Sequence, residues 1–439
     1  MTDLRELLRN RAFLAVWSAS LVSGLGDKIA IIALYLQVYR LSGRAVDLGL
    51  LAAVQIVPAI LLGPVVGLLL DRRDRRAAMI WCDLGSAVVA GALVWAHDLP
   101  AVYALAALLS AGRQIAGPAR LALLPDIVPA AQLNRANALT MVTQNLVLLI
   151  GPAIGGALVA LSGTAAAFGV NAVSFVASAG LLGARGFVYL EAARARRADS
   201  ATGVATAASG RARLAAAGAD IRGTAVWLWR QPRLRFAFLF LAGMAFVTAM
   251  QQPLVIVFVK SVLQRGDVDL GLVLSAAGLG GLVGALAAGL LSRGRQTLRN
   301  VTWLVAIDGL ALILFAVNRS FAGALLLFGL FGALGAAAQI NLATFLQNET
   351  PEDRRGRVFG WLSPLMGPLS LLSVFCGPLA ADALGVVPVL AVSGLFELIL
   401  GLAGRAFLPV RPTAQDATPP AESAPQPGEL HAPGTLDTV

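Results

Sequence analysis

Residues 46–76 read VDLGLLAAVQIVPAILLGPVVGLLLDRRDRR, a long apolar run that ends abruptly in Asp71-Arg72-Arg73-Asp74-Arg75-Arg76. No charged side chain interrupts it between Leu48 and Leu70. A helix needs about 20 such residues to cross the hydrocarbon of a bilayer. The stretch therefore reads as a membrane span, 46–70, with a basic cluster at one boundary.

Eleven more spans emerge when the rest of the chain is cut at charged or Pro/Gly-rich breaks. They run over 12–39, 77–97, 100–122, 137–161 and 164–189, then over 234–259, 269–292, 300–318, 320–345, 358–381 and 385–408. The short alternating segments of a membrane β-barrel are absent, which leaves helices as the spanning structure. The run from Phe13 follows Arg5, Arg9 and Arg11 as a secretory signal would, but it continues past Asp27 to Tyr35 and further spans follow. The expected fold is an all-α membrane protein of twelve transmembrane helices.

Composition agrees. Of 439 residues, 58% are hydrophobic and only 13% charged, with a mean hydropathy of +0.77. A soluble protein carries about 25% charged residues, so a soluble enzyme is excluded. Two cysteines (Cys82, Cys376) and two histidines (His97, His431) exclude a disulfide scaffold and leave little for a metal site.

The net charge of +10 would suit nucleic acid were it clustered on a soluble domain. Instead it sorts by side. With the N-terminus in the cytoplasm, 27 Lys and Arg fall on the cytoplasmic side, Arg120 and Arg135 among them. Five (Arg40, Arg44, Lys260, Arg265, Arg319) fall opposite, and Lys28 and Arg113 lie within spans. That bias expects a multi-pass protein of the plasma (inner) membrane with both ends cytoplasmic, embedded in lipid and without nucleic acid as partner.

The longest break divides the chain into two six-helix bundles, 1–189 and 234–408. The segment 190–233 between them opens with basic residues, passes through an Ala/Thr/Ser/Gly linker, and ends in an amphipathic piece around Trp227 to Arg235 suited to the headgroup level. Residues 409–439, rich in Pro, Ala and acid, are expected to be a disordered cytoplasmic tail. The halves echo each other: Gly151-Pro152 and Gly377-Pro378 lie 226 residues apart in spans 5 and 11. Two similar bundles able to rock about a midplane site are what a transporter needs.

Several residues stand out against this apolar background. Gly67 permits close helix approach, Asp71 sits at the membrane boundary, and Arg75 and Arg76 can bridge to acids or helix C-termini. In Gly151-Pro152-Ala-Ile-Gly155-Gly156 the proline bends span 5 and the glycines admit another backbone. Span 8 offers a matching smooth face in Gly278, Gly280, Gly281 and Gly284.

Asp27 lies about 21 Å along span 1 at 1.5 Å per residue. Burying a carboxylate there is costly, and desolvation disfavours its charged form. That suits proton coupling or substrate binding, with a purely structural role as the alternative. Uncharged candidates for lining a cavity are Gln114, Gln251, Gln252, Gln339 and Asn341, set among Phe and Leu. Such a pocket favours a bulky amphipathic ligand over a sugar or phosphate. Asp83, Asp308 and Glu397 are further intramembrane acids. No catalytic or metal constellation and no phosphate-binding loop occurs, so no enzyme activity and no cofactor are expected.

With Gly67-Leu-Leu-Leu-Asp71-Arg72-Arg73-Asp74-Arg75-Arg76, the chain resembles the major facilitator superfamily, whose loop between spans 2 and 3 carries Gly-x3-Asp-Arg-x-Gly-Arg-Arg. It departs from that pattern at Asp74, where the family usually has Gly. The resemblance implies a conformational latch built on Gly67, Asp71, Arg72, Arg75 and Arg76, and two pseudo-symmetric halves. It also implies export, because Gly-Pro-x2-Gly-Gly in span 5 is associated with exporters. Arg113, in Leu109-x3-Arg113-x3-Gly117, resembles the family's proton-coupling arginine of span 4, although the span edges place it several ångströms nearer the cytoplasm than Asp27. Spans 3, 9 and 12 are usually peripheral in that fold, which makes Asp83 and Asp308 structural and leaves Glu397 open.

Ser-Gly-Leu-Gly-Asp27 and Pro118-Ala-Arg-Leu-Ala-Leu-Leu-Pro125-Asp-Ile-Val-Pro129 look like the branch that contains macrolide and enterobactin exporters. The expected function is a monomeric, proton-coupled exporter of a small amphipathic molecule (drug, antibiotic or siderophore). The alternatives are an uptake porter of the same fold, a non-transporting receptor and a membrane-embedded enzyme.

Overall fold

A computed structural model describes residues 2–72, 74–184, 227–291, 297–351, 354–355, 358 and 362–406. The linker between 185 and 226, Arg73 and the tail from 407 lie outside these residues.

A short helix α1 (Thr2–Arg9) precedes the first span, α2 (Arg11–Ser42). Between them Asn10 acts as N-cap: its Oδ1 accepts from the Ala12 and Phe13 N–H groups at 3.0 and 3.1 Å. Its Nδ2 donates to the Ile127 carbonyl at 2.7 Å, which ties the start of α2 to the end of the helix over Leu99–Ile127. At the other end Gly43, with φ 66°, closes α2 in the left-handed region that glycine tolerates.

Then follow α3 (Ala45–Arg72), α4 (Arg75–Leu93), α5 (Leu99–Ile127) and α6 (Ala130–Gly183). Asp74 is the N-cap of α4, accepting from Ala77 N–H at 3.0 Å. The acid that replaces the family's glycine therefore starts the next helix. The second half holds α7 (Pro232–Val257), running into a π-helical turn Phe258–Val262, then α8 (Asp267–Leu291) and α9 (Thr297–Val317). It ends with α10 (Phe321–Glu349), α11 (Leu362–Leu384) and α12 (Val386–Ala406).

Among the described residues eleven helices are long and apolar enough to cross a membrane. One of them, α6, is 54 residues long and breaks at Gly163 (φ 81°, ψ 173°). At 1.5 Å per residue it measures about 80 Å, more than twice the ~30 Å hydrocarbon core. Its two limbs correspond to the expected spans 5 and 6, which brings the spanning-length helices among the described residues to twelve. Outward-facing apolar side chains such as Leu161, Leu286 and Leu326 are 84%, 71% and 76% exposed, as a lipid solvent requires. The protein is a multi-pass, all-α membrane protein.

Within the first half α2 packs along α6, and α4 lies against α5 and α6; within the second, α8 packs on α10, α9 on α12, and α7 on α11. The halves meet along two seams, α6 with α8 and α3 with α11. The first seam is made by small residues. Gly156 faces the α8 backbone, where a Cβ would stand 3.1 Å from Gly271 Cα, and Gly278 faces Leu149, where it would stand 2.6 Å from Cα. The Ala153 N–H donates to Ser275 Oγ across the seam at 2.9 Å.

Candidate functional site

Three helices of the first half, α2, α5 and α6, line an open cavity of about 490 Å3. Its lining on α2 extends from Trp17 to Ile31 and includes Asp27 and Lys28; α5 contributes Arg113 and Arg120, and α6 the segment from Thr140 to Leu148. The glycines of span 5 set the α2 wall. A Cβ on Gly151 would stand 2.5 Å from Lys28 Cβ, and one on Gly155 3.1 Å from Ile29 Cα. Only a chain without side chains there lets α2 lie so close.

Arg113 reaches Asp27: Nη1 stands 3.7 Å from Oδ1, with the side chains 25% and 18% exposed. The length of the arginine side chain spans the offset that the span edges suggested. Arg113 Nη2 also donates to Gln55 Oε1 on α3 at 3.1 Å. Sequence reasoning missed Gln55, because one glutamine in an apolar span gives no signal until its partner is known.

Arg120, expected at the cytoplasmic end of span 4, lies two residues inside the edge of the expected span 100–122. α5 continues to Ile127, so Arg120 sits within the helix and lines the cavity. A second, smaller chamber of about 150 Å3 adjoins it, sharing Ser20, Asp27, Arg113 and Arg120 and adding Asp83. Ser178 Oγ donates to Asp83 Oδ2 at 2.6 Å.

The amides lining the larger cavity are Gln144 and Asn145, not the five singled out from the sequence. Asn341 Nδ2 donates within its own helix to Ala337 O at 2.8 Å. Gln251 Nε2 is buried without a hydrogen bond, while Gln252 and Gln339 are exposed. Asp308 on α9 and Glu397 on α12 are neighbouring acids, and Asp308 Oδ1 and Glu397 Oε2 are buried without a hydrogen-bond partner.

Of the latch residues, Gly67, Asp71 and Arg72 lie on α3 but their side chains fall outside the described set. Arg75 Nη1 donates to the Ala122 carbonyl and to Asp126 Oδ2, each at 2.8 Å. Arg76 Nε donates to Leu182 O at 2.6 Å and Nη2 to Ala184 O at 3.3 Å, placing its charge at the C-terminus of α6.

A further set of charges sits where the α2–α3 turn meets the second half. Arg40 pairs with Asp267, which also accepts from Lys260 Nζ at 2.5 Å. Asp382, at the end of α11, accepts from the Ala45 and Val46 N–H groups at 2.7 and 3.0 Å, capping α3. The sequence did not single out either acid, because charges at span ends are ordinary.

Residues 16–372 match the Major Facilitator Superfamily. The multidrug efflux pump Tap of Mycolicibacterium fortuitum is 30% identical over 413 residues, covering 90% of this chain and 95% of that protein. The enterobactin exporter EntS of Salmonella typhi is 27% identical over 412 residues, covering 92% and 93%. Among solved structures, a bacterial homologue of the human lysosomal transporter Spinster, inward-facing and unoccupied, superposes with a TM-score of 0.70 at 13% identity, over 91% of this chain and 98% of that one. That likeness concerns the fold alone.

Proposed function

We propose that this chain, which belongs to the Major Facilitator Superfamily and is a transporter, exports a small amphipathic molecule across the plasma membrane in exchange for protons. The observation that carries the reading is Asp27: a carboxyl in the middle of α2, lining a cavity and ion-paired with Arg113. A carboxyl there can hold a proton or a salt bridge, but not both fully. Protonation would release Arg113, so proton occupancy and cavity electrostatics are linked. Efflux relatives such as Tap and EntS support the outward direction.

In this reading both termini lie in the cytoplasm and the protein works as a monomer. The α6–α8 and α3–α11 seams are the surfaces on which the halves rock, and Arg75 and Arg76 belong to the latch. The substrate enters beside Asp27 and meets an apolar wall with scattered hydrogen-bond groups.

The test is efflux of a compound panel from cells carrying the protein, with and without a protonophore, for the natural chain and for Asp27→Asn. Protonophore-sensitive efflux is expected to fall to the level of cells lacking the protein in Asp27→Asn, while the detergent-solubilised variant keeps a single, monodisperse elution peak. Efflux that survives the substitution removes Asp27 from the mechanism. Substrate accumulation instead of efflux would make the chain an uptake porter.

A further inference from the structure

We infer that the molecule carried through this cavity bears an acidic group, and that Lys28 and Arg120 receive it. The inference rests on reading the α2–α5–α6 cavity as the transport site and adds the charge class of its ligand. Four charged side chains line that cavity, and three are cations: Lys28, Arg113 and Arg120 against the single acid Asp27.

The three cations are not equally occupied. Arg113 is engaged on both sides, with Asp27 at 3.7 Å and with Gln55 at 3.1 Å. Lys28 and Arg120 make no hydrogen bond and no ion pair among the described residues, and Arg120 Nε is buried without a partner. Asp83, which shares the smaller chamber with Arg120, accepts from Ser178 and acts on that guanidinium through space, without a hydrogen bond or ion pair to it.

A buried guanidinium nitrogen with no acceptor is unfavourable, and the native molecule tolerates it where a ligand supplies the acceptor. An anion does this best, because charge-assisted hydrogen bonds are about twice as strong as neutral ones. The remaining lining sets the other half of the ligand. Trp17, Ile31 and Leu148 offer apolar surface beside the cations. The Trp17 indole N–H is already used, donating to Thr143 Oγ1 at 2.9 Å, so the rest of the ring contributes apolar surface. A cationic amphiphile would meet three like charges.

The experiment compares three ligands that share one ring system: pyrenebutyrate, pyrenebutanol and pyrenebutylamine. Binding to the full chain in lipid nanodiscs is read by quenching of Trp17, with Trp17→Phe as the signal control. The acid is expected to bind about tenfold more tightly than the alcohol, and the amine most weakly. Lys28→Gln and Arg120→Gln should each bring the acid-to-alcohol ratio close to one, whereas Arg120→Lys keeps most of it. A natural chain that binds the alcohol or the amine as tightly as the acid overturns the inference, as does an acid preference that survives both glutamine variants. If none of the three quenches Trp17 while cells still export a compound, the cavity is not the transport site, and the inference fails together with that reading.

Discussion

Arg75 shows how much one side chain holds at the mouth of the first half. Its guanidinium is 28% exposed and the Asp126 side chain 8%, and the pair closes at 2.8 Å. Removing one partner from such a site leaves a poorly solvated charge. Arg75→Ala is expected to cost about 2 kcal/mol, seen as a lower thermal unfolding midpoint in detergent. Because replacing both charges by apolar groups often restores stability, Arg75→Met combined with Asp126→Leu should recover most of the loss. A double variant no more stable than Arg75→Ala would mean that the ion pair is not what Arg75 contributes. At this scale the sequence was partly legible. The depth of Asp27 and the chemistry of Arg76 toward a helix end could be read from spacing. The cavity-lining role of Arg120 could not, since hydropathy places an arginine near a span end without showing which cavity it lines.

Helix α6 carries the most information among the elements. Its Gly-Pro-x2-Gly-Gly segment serves two neighbours at once: Gly151 and Gly155 admit α2, while Pro152 and Gly156 meet α8. That glycines mark close packing was evident from the sequence; which helices they admit was not, because spacing fixes a face but not its partner. The break at Gly163 was likewise legible only as a gap between spans, whereas its φ of 81° makes it a turn few other residues accept. Gly156→Val would drive a branched side chain into the α8 backbone and hold the two halves apart. Overpacking of this kind costs about 1–3 kcal/mol, so transport is expected to drop about tenfold or more, with membrane insertion unchanged. Gly169, where an added Cβ meets nothing within 4 Å, is the control. Gly169→Ala should leave both efflux and stability near the natural level. Equal losses in the two variants would show that any side chain added along α6, rather than the seam in particular, decides the outcome.

For the whole molecule the question is what holds the two halves together at one end while a cavity lies further along α2. The two acids that bridge to the first half there both come from the second half. Asp267 is shared by Arg40 of the first half and Lys260 of its own, and Asp382 caps the first turn of α3 through two backbone N–H groups. A carboxylate at a helix N-terminus contributes about 0.3–1 kcal/mol when exposed and up to ~2 when partly buried. Asp382 is 25% exposed and lies in the upper part of that range. If the halves rock as proposed, such a contact exists only while they are closed at this end, and its full strength counts toward the equilibrium between the two open forms. Asp382→Ala is therefore expected to shift that equilibrium about tenfold toward opening at the α2–α3 turn, and Asp267→Ala to add to it. The shift can be read as spin-label distances between Leu41→Cys and Leu384→Cys, on a chain whose Cys82 and Cys376 are serine. A lengthened distance population in both variants is the expected result. A distribution identical to that of the natural chain would mean that the glycine seam between α6 and α8 closes this end on its own, and that the acids merely decorate it.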